Sequence, residues 1–218
     1  IILGSFKAFL AFNVGHDAIH GSYSENTFVN RLLSRSFDFL GGNSYVWSIT
    51  HNKIHHTYTN IPGHDEDIDL APGIVRLCPN EPWKPMMRFQ KYYAFVLYGL
   101  AGLFRVFKQD YFKFFKKEIG AFDNTDHPKM EYFNLFFYKF LYYTIFIFAP
   151  LYFIDLSVGQ ILFGFFIMML TEGFVLGLVF QLAHVVEDVD FPEPTTENHI
   201  EEVWAIHQLQ TTANFARK

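Results

Sequence analysis

The sequence has a single cysteine, Cys78, in 218 residues. An internal disulfide is excluded, and a thiolate-based structural zinc site lacks its ligands. Charge is also scarce. Asp, Glu, Lys and Arg make up 18% of the chain, against about 25% in an ordinary soluble domain. The net charge of -5 is mild, and no polar run interleaves Lys and Arg with aromatics. The chain therefore lacks the basic footprint of a nucleic-acid binder. No basic n-region precedes the first apolar run, so no signal peptide is legible.

What the chain has in excess is apolar surface. Half of its residues are hydrophobic, with 28 Phe and 12 Tyr, and they fall in runs. Residues 1–15 are apolar apart from Lys7 and Asn13. That is short of the roughly 20 residues a span needs, so the run reads as the end of a membrane helix (a partial span). Residues 133–154 and 159–183 are long enough to cross, carry Lys139 and Glu172 respectively, and are joined by Asp155-Leu156-Ser157-Val158. Residues 16–70 are polar and rich in histidine, and Pro72, Pro79, Pro82 and Pro85 mark the following stretch as loop. The expected fold is all-α: an integral membrane helical protein with a cytoplasmic helical cap that carries the histidines, in a single domain over 1–218. The chain starts inside an apolar run and stops inside a polar one, so a domain truncated at both ends is expected.

Orientation follows from charge. Every Lys and Arg lies at or before Lys139, or at Arg217 and Lys218, and none lies in the turn between the two long apolar runs. The positive-inside rule then puts that turn away from the cytoplasm, and the histidines on the cytoplasmic side. For the histidine-rich region and the later His184 to meet, the number of crossings between them must be even. The two long runs already satisfy this. The segment 92–117, with Lys and Phe mixed along KQDYFKFFKK at 108–117, is therefore expected as an interfacial helix.

The histidines carry the chemistry. His16 and His20 are four apart, one helical turn on one face, and His51 and His55 repeat that spacing. His56 follows His55 and on an α-helix points about 100° away. HxxxHH can thus offer nitrogen to two metal ions, one on each flank. A lone HxxxH arises often by chance. Two such motifs within 41 residues, each beside an apolar run, do not. Imidazole suits Fe, Zn, Cu and Ni, and a redox metal at a membrane edge suggests oxygen chemistry on a lipid, for which iron is the usual choice. His184 stands at the end of the last apolar run, where an ionisable group is a functional candidate, with Gln181 one turn before it.

HDAIHGSYS, HNKIHHTYTN with GHDEDIDL, FQLAHVVED and QLQTTANFA, in that order, resemble the membrane fatty acid desaturases, closest to the front-end or acyl-CoA type. The resemblance covers essentially the whole chain. It implies a site of two iron ions with O2 as co-substrate, a fatty acyl substrate, and an electron donor that is a cytochrome b-type domain or a ferredoxin. It also implies His16, His20, His51, His55, His56 and His184 as metal ligands. The family's third box, HxxHH or QxxHH, would follow QLQTTANFA and is absent here. His207, without a partner histidine, does not replace it.

The acidic cluster His64, Asp65, Glu66, Asp67 and Asp69 follows the second motif. Asp65 and Asp67, with Asn60, are candidates to orient imidazole N–H groups, and a solvated loop is the equal alternative. Gln181 is a candidate to hold a water or a ligand. Trp47, one turn before His51, is a candidate for the acyl tunnel wall, although aromatic packing is the commoner role. His127 and His199 read as surface residues. Lipid hydroxylases, ketolases and sphingolipid desaturases share such motifs and differ in tunnel shape. A receptor is the non-catalytic alternative, as is a transporter with histidine proton relays, which would place histidines inside the spans. Because the third box is missing, the 218-residue chain alone is expected to hold fewer than two irons and not to turn over. Metal analysis finding two irons per chain would refute this.

Overall fold

The computed structural model describes residues 1–68, 71, 73–184, 186, 189–196 and 199–213, with backbone only for Ala183 and His184. Helix α1 (Ile2–Leu10) continues through a π-helical stretch, Ala11–His16, into the short α2 (Asp17–Ile19), which His20 terminates. Helix α3 (Thr27–Phe39) begins where the Asn26 side chain accepts the Phe28 N–H, and α4 (Ser44–Trp47) where Asn43 accepts the Val46 N–H. Both use the short polar side chain that caps a helix start best. A second π-helical stretch, Ser48–His55, continues α4.

After the proline loop come α5 (Gln90–Phe104), a π-helical stretch at Arg105–Gln109 and α6 (Asp110–Phe115), without a break in helical backbone. A two-residue hairpin follows, β1 (Glu118–Ile119) and β2 (Phe122–Asp123), turning on Gly120 at φ 54. This small hairpin is the departure from an all-α expectation. Glycine can take the positive φ that the turn needs. Then follow α7 (Lys129–Tyr143), a π-helical stretch at Thr144–Phe148, α8 (Ala149–Phe153), α9 (Val158–His184) and α10 (Trp204–Thr211).

Two helical segments, Lys129–Phe153 and Val158–Leu182, are long and apolar enough to cross a membrane. Phe136, Phe140, Phe148, Phe153 and Phe163 on them are exposed. A helix in the core of a soluble protein would bury such side chains, and a continuous apolar surface of this kind needs a partner other than water.

These segments form an antiparallel hairpin around residues 154–157, and the rest packs on it. Helix α1 runs parallel to α9, with Gly4 against Met168, Lys7 on Glu172, and Phe12 on Phe180. Helix α5 descends α9 in the opposite sense. Tyr98 lies on Gly177, and Phe107 meets Phe165. A Cβ at Gly173 would collide with the Gly99 carbonyl oxygen, so this seam admits only glycine. Phe107 also stacks on Tyr143, and from there the chain climbs α7, Tyr111 to Phe136 and Phe114 to Tyr132. The segment 90–115 thus enters and leaves at the end of the hairpin away from its turn. The stretch expected along a membrane surface leans into the hairpin, its helices stop at Phe115, and Phe104, Phe107, Phe112 and Phe115 face outward.

The charges inside the apolar runs are paired. Lys7 donates to Glu172 at 2.7 Å and to the Tyr142 hydroxyl at 3.0 Å. Lys139 donates to Asp110 at 2.7 Å, and to the carbonyls of Gly41 and Val106. Removing one member of a buried pair strands the other, at about 3–5 kcal/mol. Lys139→Ala is expected to destabilise the protein by that amount, measured by unfolding in detergent, and Lys139→Met with Asp110→Leu to recover most of it. A loss under about 1 kcal/mol in the single variant would show that the pair does not hold the helices together.

Candidate metal centre

The two helical ends that carry the histidine motifs meet. The ring centroids of His16 and His20 are 4.5 Å apart, His20 and His51 5.3 Å, His20 and His56 4.9 Å, and His51 and His56 4.7 Å. His16, His20 and His51 each bring a nitrogen within 4.8 Å of the others, and His51, His55 and Asp67 form a second such group. Three mutually facing imidazoles fit a transition metal, which takes nitrogen ligands readily.

The second motif is not the α-helix that its spacing suggests. The His56 N–H donates to the His51 carbonyl at 3.0 Å, the i to i–5 bond of a π turn, a form that occurs often at functional sites. The wider turn brings residue 56 round toward the face that carries 51. His56 therefore comes nearer the face of His51 than the separation of about 140° that five α-helical residues give. Its Nε2 is buried and has no hydrogen-bond partner among the described residues. A buried nitrogen without a partner is costly and fits a ligand position.

The loop after the motif holds the rings. His51 Nδ1 lies 2.9 Å from Asp67, and His55 Nδ1 2.9 Å from Asp65. With Nδ1 on a carboxylate, any ligation by these rings uses Nε2, an arrangement that fixes the tautomer and turns the ring. Asp65 is itself held. It accepts the N–H of Asn60 at 2.9 Å and that of Asp67 at 2.9 Å. Asn60 stands at φ 57 and donates from Nδ2 to the Thr211 carbonyl at 3.0 Å, which ties the loop to α10. Glu66 pairs with Lys113 at 3.0 Å and Lys116 at 3.1 Å, and so anchors the loop on α6.

Burial, helped by the neighbouring His16 and His56, holds the His20 pKa down at about 4. Burial also pushes His51 down to about 3, against the pull of Asp67, and lowers His56, with His55 adding to the effect. His55 moves the other way. Burial lowers it, but the Asp65 hydrogen bond and the Asp67 and Asp65 charges outweigh this. Neutral imidazole is the form that ligates a metal.

The cluster opens on a cavity of about 500 Å³. His55, Asp67 and Trp47 line it at one end, and Phe180, Leu176, Leu97 and Ala101 along its sides. Trp47 also stacks on His51 at 4.0 Å, so it serves both packing and cavity wall. Gln181 lines the same end, and its buried Oε1 has no partner among the described residues. The backbone of α9 reaches His184, whose side chain lies outside the described residues, as does Asp69.

Sequence reasoning missed three things here. Lys7 and Glu172 were legible only as isolated charges. Asp17 reaches His16 Nδ1 at 3.0 Å, and its place beside His16 was the available signal. His127, expected at the surface, is half-buried, with Nδ1 3.1 Å from the Tyr45 hydroxyl and Nε2 2.8 Å from the Phe114 carbonyl. Partners that far away in sequence leave no local mark.

The fatty acid desaturase family model matches residues 1–217, and the chain belongs to that family. It is 38% identical over 217 residues to an sn-1 linoleoyl-lipid 6-desaturase from Synechocystis, covering 99% of this chain and 60% of that protein. It is 32% identical to an enzyme of the same name from Arthrospira platensis (99% and 58%), and 32% identical to an acyl-lipid (8-3)-desaturase from Physcomitrium patens (98% and 45%). The chain thus spans about three-fifths or less of the length of these relatives. No solved structure matches it. The family and the two apolar helices together indicate a membrane protein.

Asp65→Ala would remove the carboxylate that accepts from the His55 ring and from two backbone N–H groups. At about 1–3 kcal/mol for each stranded group, the variant is expected to lose at least about 3 kcal/mol in denaturant unfolding. Asp17→Ala, at a half-exposed carboxylate, is expected to lose under about 1 kcal/mol. Equal losses in the two variants would refute the view that Asp65 organises the loop.

Proposed function

We propose that this chain carries the metal centre and acyl site of an oxygen-dependent desaturase that introduces a cis double bond into a fatty acyl chain held on a lipid. The observation that carries the reading is that the histidine cluster borders a mostly apolar cavity, with His55 and Trp47 in its wall. A hydrocarbon fits such a cavity. Acyl-lipid is preferred over acyl-CoA as the carrier because the relatives' names specify it.

His16, His20, His51, His55, His56 and His184 would hold two irons. Bound iron would supply dioxygen activation and removal of hydrogen from two adjacent methylenes. This chain's residues do the positioning. Asp65 and Asp67 hold the His55 and His51 rings by Nδ1, and Gln181 offers a buried acceptor at the mouth of the cavity. Leu176, Phe180 and Trp47 exclude water and align the chain, so that one bond faces the histidines. Electrons would come from a cytochrome b-type or ferredoxin donor. The hairpin would cross the bilayer with residues 154–157 on the far side. The histidine motifs, α10 and both ends of 90–115 would then form a cap on the cytoplasmic side.

The test is expression of the full gene product that carries this chain, in a microbe whose lipids lack the product. Gas chromatography of its lipids is expected to show one new cis double bond. His55→Ala should abolish it, and Asp65→Asn should lower it about 10–100-fold. A hydroxylated or ketone product in place of the double bond would move the protein to a different reaction of the same centre. Full activity in His55→Ala would overturn the metal assignment.

A further inference from the structure

The cavity ends in charge. At the end opposite the histidines it is lined by Glu172, Met169, Val106 and Arg105. The Glu172 partner, Lys7, sits on the helix that leads to His16. Glu172 alone of the pair lines the cavity, with Lys7 behind it; a buried carboxylate backed by its counter-ion is not an ordinary wall element of a mostly apolar cavity, and the desaturation reading gives it no part. The side chains of Lys7 and Glu172 are 2% and 7% exposed.

The pair is enclosed. The Lys7 ammonium lies 4.7 Å from the Tyr142 ring centroid and 4.6 Å from that of Phe146, and donates to the Tyr142 hydroxyl, which in turn donates to Met169 Sδ at 2.9 Å. A Cβ at Gly4, one turn earlier, would run into the Met168 carbonyl, so α1 lies on α9 at backbone distance there. Val106, Tyr142, Met168 and Met169 pack as a core against the pair.

We propose that the Lys7–Glu172 ion pair is the floor of the acyl cavity and sets the longest chain that the site accepts. This rests on the reading of the cavity as an acyl site. A methyl terminus pressed on the pair would displace polar contacts and offer none in return. Depth is fixed by the helix. Glu172 precedes Phe180 by eight residues on α9, about 12 Å, and the Phe180 ring is 6.0 Å from that of His51. Three bonds of an extended chain span about 3.5 Å, so roughly ten carbon–carbon bonds separate the level of Phe180 from that of Glu172.

The experiment supplies the full gene product in a microbial host with acyl chains graded in two-carbon steps, and reads the ratio of product from chains beyond the wild-type limit to product from the preferred length. A ratio does not depend on how much protein accumulates. Lys7→Met combined with Glu172→Met removes both charges of the buried pair together, with Arg105 kept in every variant, and is expected to raise the ratio several-fold. The exchanged pair, Lys7→Glu with Glu172→Lys, keeps a polar floor and is expected to keep the wild-type ratio. An unchanged ratio in the apolar variant overturns the proposal, as does an equal rise in the exchanged variant. If the wild-type protein desaturates no chain of any length, the reaction assigned above fails and the floor with it.

Discussion

A carboxylate removed from water must be surrounded by donors, and the whole arrangement of the histidines depends on how one of them, Asp65, meets that requirement. Its oxygens take the His55 ring and the N–H groups of Asn60 and Asp67. Those bonds fold the loop back over the second histidine motif and bring Asp67 to His51. Asn60 carries the connection on to α10. A single buried acid thus sets the direction of two imidazoles and the path of the chain after them, and an acidic stretch that could have been a solvated loop becomes structural.

The membrane hairpin plays the complementary part. It is apolar outward and accepts three kinds of partner inward: glycine seams, aromatic stacks and ion pairs. Gly173 against Gly99 lets α5 reach α9 at backbone distance. The stack of Phe107 on Tyr143 marks the point at which 90–115 passes from one arm to the other. Lys7–Glu172 and Lys139–Asp110 tie the histidine-bearing helix to one arm and α6 to the other. Charges are tolerated at these depths because each has its counter-ion and hydrogen bonds at hand.

Much of this was legible in the sequence. The spacing of His16, His20, His51, His55 and His56 is a local signal, and so are the length and composition of the two apolar runs. The structure brings those five histidines together. What the sequence hides is non-local or depends on backbone form. Lys7 and Glu172 are separated by 165 residues, and nothing in either neighbourhood names the other. His127 looks solvated until Tyr45 and Phe114 arrive beside it. The orientation of His56 follows from a π turn, and residue counting assumes 3.6 per turn. The return of 90–115 toward its own starting side depends on which arm of the hairpin each aromatic meets, which composition does not encode. The expected all-α class likewise overlooked two strands short enough to leave no alternation.

The glycine seam between α5 and α9 has a consequence for how the cavity can vary. Where side chains separate two helices, exchanging large for small moves the wall by an adjustable amount. Where backbone touches backbone, the spacing has already reached its minimum, and any added atom can only drive the walls apart. The cavity's breadth is therefore a one-way quantity on this side. Substitution there can widen the gap but never narrow it, so that divergence among related chains in what they admit has to be written on the other walls.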